Sequence, residues 1–127
     1  MSKIEVKSAG KKGRGVFAIK PIKKGEVIEV AHYIEIPATE YKFLRKTTVN
    51  YYWYEVDGLV TGIGLGNTSL YNHSSAAPNS EFEVNKKKKK IIITALQNIK
   101  AGQEVLFDYG YDGCANSVSN HKKNNKL

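Results

Sequence analysis

Three short segments carry residue types that could hold a ligand and act on it. Gly13-Arg14-Gly15 lies near the start of the chain, Asn72-His73-Ser74 past its middle, and Phe107-Asp108-Tyr109-Gly110 near its end. Glycines let the backbone approach a ligand closely, and an asparagine amide offers both donors and an acceptor. A tyrosine oxygen can orient a reacting group. Each of these roles has a simpler competing interpretation.

Taken alone, each segment also suits a purely structural role. Gly13-x-Gly15 is typical of a tight turn, and its spacing matches neither a dinucleotide fingerprint nor a P-loop. His73 is more often a packed core residue than a ligand, and Asn72 could close a turn. Phe107-Asp108-Tyr109-Gly110 would suit a strand end followed by a turn. The segments gain functional meaning only in combination.

In combination and in this order, the segments resemble the signature motifs of the SET-domain family of protein-lysine methyltransferases. The second motif continues to Pro78-Asn79, where the family's commonest form is Asn-His-Ser-Cys-x-Pro-Asn. Here Ser75 replaces the cysteine, and one extra residue precedes the proline. Compact members of the family without zinc lack that cysteine too. The resemblance extends over nearly the whole chain, from about Lys11 to Tyr111.

The resemblance implies a role for each motif. In SET enzymes the segment that matches Gly13-Arg14-Gly15 lays its backbone against the methionine part of S-adenosylmethionine (AdoMet). The segment that matches Asn72-His73 contacts the same cofactor at a knot-like crossing of the chain. The tyrosine that matches Tyr109 stands beside the transferring methyl group, at the inner end of a narrow lysine channel. The resemblance therefore implies AdoMet as the cofactor and Tyr109 as the catalytic residue.

Methyl transfer to lysine is an in-line displacement in which the amine attacks the sulfonium methyl and a neutral thioether leaves. The amine must be deprotonated, although an unperturbed lysine has a pKa near ~10.4. A water-poor aromatic channel and the nearby positive sulfonium both lower that pKa. Tyr109 would orient the amine and stabilise the polarised methyl group through its oxygen. Because the pKa of a tyrosine lies near ~10, we do not assign it as a general base.

Three aromatic residues are candidates for lining the lysine channel. The run Tyr51–Tyr54 alternates like a half-buried strand, with successive rings on opposite faces. The resemblance puts a channel tyrosine in this run; Tyr51 is favoured, with a register open by one residue. Phe107 stands two positions before Tyr109, where a phenylalanine resembles enzymes that add two or three methyl groups. Tyr111 would help cover the cofactor or the channel.

Cysteine content limits how such a site can be completed. The single cysteine, Cys114, excludes an intramolecular disulfide and a multi-cysteine zinc site, so no metal is expected. Many chromatin SET enzymes complete the lysine channel with a cysteine-rich zinc module. Here Tyr111 with the tail, a second copy of the chain in a homodimer, or the substrate itself must close the site. A catalytic pair of Cys114 with His73 has no supporting spacing.

The net charge of +8 is unevenly distributed. Residues 1–24 carry eight basic and one acidic side chains, residues 25–85 carry three basic and eight acidic, and Lys86–Lys90 is entirely basic. An acidic middle segment would attract a basic protein. A histone tail, a ribosomal protein and a viral or archaeal chromatin protein are all candidate substrates. Any contact with nucleic acid is expected to be indirect or non-specific.

Two other functions stay open at this level. A basic nucleic-acid-binding module would account for Lys86–Lys90, but single-strand binders interleave aromatic and basic residues, and residues 86–95 contain no aromatic residue. A catalytically inactive SET-like binder is the other alternative. The joint presence of Tyr109, Asn72-His73 and the glycine turn argues against it.

Short strands must position these residues, so the predicted fold class is mainly β. The resemblance specifies the SET β-clip fold of small curved sheets with a C-terminal pseudo-knot. Asp57-Gly58 and the lysine run are predicted to connect two hairpins, and one helix is predicted between Pro37 and Thr47, capped by Thr39. Strands are predicted over residues 4–7, 16–18, 27–31, 51–56, 59–60, 82–84, 91–94 and 105–107.

The length of 127 residues predicts one domain, residues 1–114, followed by a basic, disordered tail, residues 115–127. No apolar run approaches the ~18–20 residues that a membrane-spanning helix needs. The first residues lack the apolar core of a signal peptide. We therefore expect an intracellular protein of the cytoplasm, nucleus or nucleoid, in the host cell if the chain is viral, without membrane contact.

Overall fold

The structure, a computed structural model, describes residues 2–57 and 60–110. Strands β1 (Ile4–Ser8) and β2 (Arg14–Ala18) form a small antiparallel sheet. A second sheet contains β3 (Val27–Pro37), β4 (Trp53–Asp57), β5 (Val60–Gly64), β6 (Asn72–His73), β7 (Ser80–Asn85), β8 (Lys90–Ala95) and β9 (Leu106–Phe107). The predicted fold class, mainly β, is confirmed.

The larger sheet has the strand order β4-β5-β3-β8-β7-β9-β6. Its neighbours are antiparallel except β9, which runs parallel to both β6 and β7. Strands β6 and β7 follow one another in sequence, but in the sheet they are not neighbours. Strand β9, which comes later in the chain, lies between them. This insertion is the knot-like crossing that the family resemblance implies.

The core follows the alternation of the strands. In β8, Ile91, Ile93 and Ala95 are buried while their neighbours are half-buried. This is the period of two that a pleated strand imposes. Each such isoleucine contributes roughly 1.5–3 kcal/mol by leaving water. Strand β8 lies between β3 and β7 and so forms the middle of the sheet, next to the strands that carry the site.

Both predicted hairpins are confirmed. Strands β4 and β5 pair with Asp57 opposite Val60, and the Val60 N–H donates to the Asp57 carboxylate at 3.1 Å. Strands β7 and β8 pair from Ser80 opposite Ala95 to Asn85 opposite Lys90, so the lysine run forms their connection. Its last member, Lys90, already belongs to β8.

The predicted helix is much shorter than expected. Only Tyr41–Leu44 is α-helical, and a 3₁₀ turn precedes it at Ala38–Glu40. Thr39 lies inside that turn, and no side chain caps either element, so its predicted capping role is wrong. The Thr47 hydroxyl donates to the Leu44 carbonyl at 2.7 Å and ends the helical segment. Threonine side chains compete with the helix for backbone groups in this way.

The predicted strand over residues 51–56 begins two residues late. Tyr51 ends a 3₁₀ turn, Thr48–Tyr51, and the strand begins at Trp53. A buried hydrogen bond of 3.0 Å from the Trp53 indole to the Asn50 side chain holds this turn. Trp53 and Tyr54 are both buried, so both faces of β4 are covered at its start.

Several predictions fall on residues outside the described ranges. These are the turn residue Gly58, the channel candidate Tyr111, the domain end at residue 114 and the tail. Within residues 2–57 and 60–110, no helix is long and apolar enough to cross a membrane.

Candidate active site

The crossing at β9 brings the three motifs together. Parallel pairing places Asn72 opposite Leu106 and His73 opposite Phe107, next to the chain that leads to Tyr109. On the other side, the Val105 N–H donates to the Val16 carbonyl at 2.7 Å. The segment before β9 is thereby tied both to the strand that follows the glycine turn and to the Asn-His motif.

Glu104 is the polar centre of this crossing. Its Oε1 lies 2.5 Å from the Lys12 ammonium, and its Oε2 accepts from the Asn72 amide at 2.7 Å. The other Asn72 Nδ2–H donates to the Arg14 carbonyl at 3.0 Å. The Glu104 carbonyl accepts from the Asn79 amide at 2.9 Å. One residue therefore links the glycine turn, the Asn-His motif and the Pro78-Asn79 motif.

Gly15 is glycine because there is no room for a side chain. A Cβ built there would lie 2.4 Å from Glu104 Oε2 and 2.8 Å from Asn72 Nδ2. Gly13 is required for its conformation, since its φ of 85° lies in the left-handed region. The two glycines thus let the turn approach the other motifs closely.

Tyr109 is held at both its backbone and its hydroxyl. Its N–H donates to Nδ1 of His73 at 2.9 Å, and its hydroxyl donates to the Tyr71 carbonyl. Because the hydroxyl proton is committed to that carbonyl, the lone pairs of the oxygen are its remaining polar surface. The side chain is largely buried, and its ring packs on those of His73 and Phe107.

Asn79 and Ser80 clamp the strand that leads to Tyr109. The Asn79 side-chain oxygen accepts from the Leu106 N–H at 2.9 Å, and the Asn79 N–H donates to the Leu106 carbonyl at 3.0 Å. The Ser80 hydroxyl donates to the same carbonyl at 2.8 Å. In this structure the Pro78-Asn79 motif positions backbone next to the site.

Phe107 lies at the centre of a group of aromatic rings. It is 1% exposed, with ring centroids of Tyr71, Phe82 and Tyr109 at 5.3, 5.1 and 5.4 Å. Burial, and then the charge of Glu29, raise the pKa of Tyr71, whose hydroxyl donates to the Glu29 carboxylate at 2.7 Å. Tyr71 therefore stays neutral, and the surroundings of Phe107 are apolar.

One predicted channel residue, Tyr51, is not part of this group. In the described part of the chain, the rings against Tyr109 are those of His73 and Phe107, and Tyr51 is half-buried in its 3₁₀ turn. Tyr111 lies outside the described ranges. The sequence analysis missed Glu104, Lys12 and Tyr71, because only strand register brings them to the motifs.

The donor set of the crossing fits a zwitterionic ligand with an aromatic base. It combines the close-packed glycine turn, an amide, a carboxylate, an imidazole and a tyrosine oxygen within one contact network. These groups match the amine, carboxylate and adenine edges of AdoMet by type. Among residues 2–57 and 60–110 there is no group of three or more histidine, cysteine or acidic side chains that could hold a metal.

Comparison with known proteins identifies relatives of this arrangement. The SET domain family model matches residues 13–110. The H3 lysine-37-specific histone-lysine N-methyltransferase of Schizosaccharomyces pombe is 32% identical over 110 residues, which are 86% of this chain and 74% of that protein. The N-lysine methyltransferase KMT5A-A of Danio rerio is 30% identical over 131 residues, which cover 87% of this chain but 36% of that protein.

A solved structure has the same fold. The crystal structure of a candidate histone methyltransferase of Plasmodium falciparum superposes with a TM-score of 0.72 at 32% identity. The match covers 88% of this chain and 96% of that one.

Proposed function

Because the chain belongs to the SET-domain family of protein-lysine methyltransferases, we propose that it transfers methyl groups from AdoMet to a lysine of a histone tail. The observation that carries this proposal is the convergence of the glycine turn, Asn72-His73 and Tyr109 at one crossing. Residues 1–114 would act as a single catalytic domain.

AdoMet supplies a methyl group made electrophilic by a sulfonium. Gly13-Arg14-Gly15 and Asn72-His73 hold it, with the glycine turn pinned by Glu104. Tyr109 is the catalytic residue. Its hydroxyl donates a hydrogen bond to the Tyr71 carbonyl. Its oxygen therefore accepts a hydrogen bond from the attacking amine and directs the amine lone pair toward the methyl group.

The lysine must reach this oxygen as a neutral amine. Phe107, Tyr51 and Tyr111 line its path, and an apolar path lowers the pKa of the lysine. The packing of the Phe107 ring on that of Tyr109 supports this role. A phenylalanine there leaves space for an amine that already carries a methyl group, so the product is di- or trimethyllysine.

A histone tail is the substrate that the charges and the relatives favour. The exposed carboxylates of Glu40, Glu81 and Glu83 belong to the acidic segment 25–85, and such charges attract a basic peptide. The fission-yeast relative is named for a lysine of histone H3. With such a substrate the protein works inside the cell, where chromatin is found. Closure of the site by a second copy of the chain is part of this proposal.

The test is transfer of isotopically labelled methyl from AdoMet to a panel of core histones and other basic proteins. The wild type is compared with Tyr109→Phe and with Tyr33→Phe as the matched control. Tyr33 is a buried tyrosine whose hydroxyl has no hydrogen-bond partner among the described residues. We expect label on a histone lysine with wild type and Tyr33→Phe, and at least about 100-fold slower transfer with Tyr109→Phe.

Calorimetry with AdoMet accompanies the assay, and sedimentation measures the oligomeric state. Equal rates for the two tyrosine variants would remove the assigned role of Tyr109. Label found only on a non-histone protein would contradict the histone substrate but not the methyl transfer. If the folded wild type showed no transfer and no AdoMet binding, that result would contradict the proposed function as a whole.

A further inference from the structure

We propose that Lys86–Lys90, here called the lysine tip, binds the phosphate backbone of double-stranded DNA without reading its sequence. The lysine tip connects β7 to β8. The inference concerns a surface that the methyl-transfer site does not use, and it does not depend on the proposed function.

The backbone of the lysine tip is firmly held. Asn85 and Lys90 form the last pair of the β7–β8 ladder. The Lys88 N–H donates to the Asn85 side chain at 3.0 Å, and the Lys89 carbonyl accepts from the Tyr33 N–H at 3.1 Å. These bonds anchor the tip to β3 as well as to its own hairpin. The lysines are therefore presented on an ordered edge of the sheet.

Most of the charge on the tip is uncompensated by the described protein. The Lys89 ammonium pairs with the Glu35 carboxylate at 3.1 Å. Within residues 2–57 and 60–110, no carboxylate forms an ion pair with the other four lysines. Lys86, Lys87 and Lys88 are also exposed. Neighbouring like charges repel each other and favour an external anion.

The backbone conformation of Lys89 is unusual for its residue type. Its φ of 56° lies in the left-handed region, and it is the one described non-glycine residue with a positive φ. Glycine or asparagine would satisfy this position more cheaply, because a left-handed residue of another type costs roughly 1–2 kcal/mol. The chain therefore keeps a lysine at a position where turn chemistry favours another residue.

Duplex DNA is the anion that this composition favours. Single-strand binders stack bases on aromatic side chains between their basic residues, and residues 86–95 contain none. Double-stranded DNA presents one charge per ~1.7 Å of its axis, whereas an extended acidic peptide presents at most one per ~3.3 Å. Consecutive lysines on a short tip therefore meet more anions on a duplex. Without groups that read base edges, the binding is independent of sequence.

The test measures the affinity for two short duplexes of unrelated sequence as salt is raised from ~50 to ~200 mM. The variant is Lys86→Gln, Lys87→Gln and Lys88→Gln together. The matched control is Lys23→Gln, Lys24→Gln and Lys100→Gln, three exposed lysines around one surface groove of the same chain. Both variants lose the same charge, so a difference between them reports location.

We expect the tip variant to lower the slope of log affinity against log salt by about 2–3. Each lost phosphate contact weakens binding about tenfold at the lowest salt. The control should bind like wild type, and both duplexes should bind equally. Circular dichroism and thermal unfolding verify that both variants are folded, and methyl transfer to a free basic peptide should be unchanged in the tip variant.

Three results would overturn the inference. One is failure of wild type to bind a duplex at the lowest salt, and another is a loss of affinity in the control as large as that in the tip variant. The third is a tip variant that loses affinity for a polyglutamate probe but keeps its affinity for the duplexes, which would assign the tip to an acidic protein instead. Failure of methyl transfer with intact tip-dependent DNA binding would contradict only the proposed function.

Discussion

Replacing Glu104 by glutamine should damage AdoMet binding much more than the chemical step. The carboxylate accepts from two donors, the Lys12 ammonium and the Asn72 amide, and it lies against Gly15. Glutamine has nearly the same shape but only one acceptor oxygen. In Glu104→Gln, the new amide N–H₂ must therefore face one of the two donors.

The magnitude follows from the exposure of each partner. The Glu104 side chain is 12% exposed and that of Lys12 44%, so their ion pair is worth about 0.2–1 kcal/mol. The bond from Asn72 to a charged carboxylate contributes about 1.5–3 kcal/mol, against about 0.5–1.5 for a neutral acceptor. We expect a loss of about 1–3 kcal/mol in the free energy of unfolding. This corresponds to a fall in Tm of at least about 4 °C.

The lost Glu104 contacts should also weaken AdoMet binding, because they hold the glycine turn in place. If the turn is no longer held, ligand binding must order it, and that cost is taken from the affinity. A cost of 1.4 kcal/mol corresponds to about tenfold in Kd. Tyr109 keeps its bonds to His73 and Tyr71. We therefore expect KM for AdoMet to rise about tenfold while kcat changes by less than about threefold.

The assay combines calorimetry with AdoMet, steady-state kinetics and thermal unfolding. Glu26→Gln is the matched control, because Glu26 also pairs with a lysine, Lys3 at 2.8 Å, but its side chain is more exposed, at 31% against 12% for Glu104. Lys12→Met separates the contribution of the ion pair from that of the Asn72 bond. The reasoning is refuted if Glu104→Gln keeps the Tm and AdoMet affinity of Glu26→Gln, or if it lowers kcat alone.

Three further substitutions test other parts of the site. Gly15→Ala should cost about 1–3 kcal/mol of unfolding free energy, because its Cβ would lie 2.4 Å from Glu104 Oε2; a Tm equal to wild type would contradict this. Burial raises the pKa of Tyr71, so the folded protein keeps a proton that the unfolded chain loses above pH ~10, and stability falls as pH rises by about 1.4 kcal/mol per pH unit. Denaturant titrations should show a shallower alkaline loss for Tyr71→Phe, and identical pH profiles would refute that account. Phe107→Tyr should shift the product toward monomethyllysine, because a hydroxyl is added among buried rings; mass spectra with unchanged proportions of the methylated forms would remove its assigned role.

Much of the strand content could be predicted because its signals are local. Asp57-Gly58 between two apolar runs predicted the β4–β5 hairpin, and the β-branched run Ile91-Ile92-Ile93-Thr94 predicted the strand that became β8. Such patterns depend on near neighbours in sequence. The SET-like order of the motifs also predicted the crossing at β9, which periodicity alone does not indicate.

The failures occur where side chains compete locally or where register decides. The helix ends early because the Thr47 hydroxyl bonds the Leu44 carbonyl, and Tyr51 leaves the strand because Asn50 and Trp53 favour a turn. Single-sequence patterns do not resolve such competition. An isolated glutamate before an apolar strand carries no sequence signal of its own, so the part played by Glu104 was missed.

The location of Glu104 explains why the motifs are informative only together. Lys12, Asn72 and Asn79 reach this residue from positions 92, 32 and 25 residues away. All three contacts are made by the segment just before β9, so the glycine turn, the Asn-His motif and Tyr109 depend on how this one segment is held. Long-range contacts of this kind form only after the cost of closing their loops has been met. A substitution that loosens β9, such as Asn79→Ala, should therefore impair AdoMet binding and stability in parallel, whereas Tyr109→Phe should slow transfer and leave AdoMet binding intact.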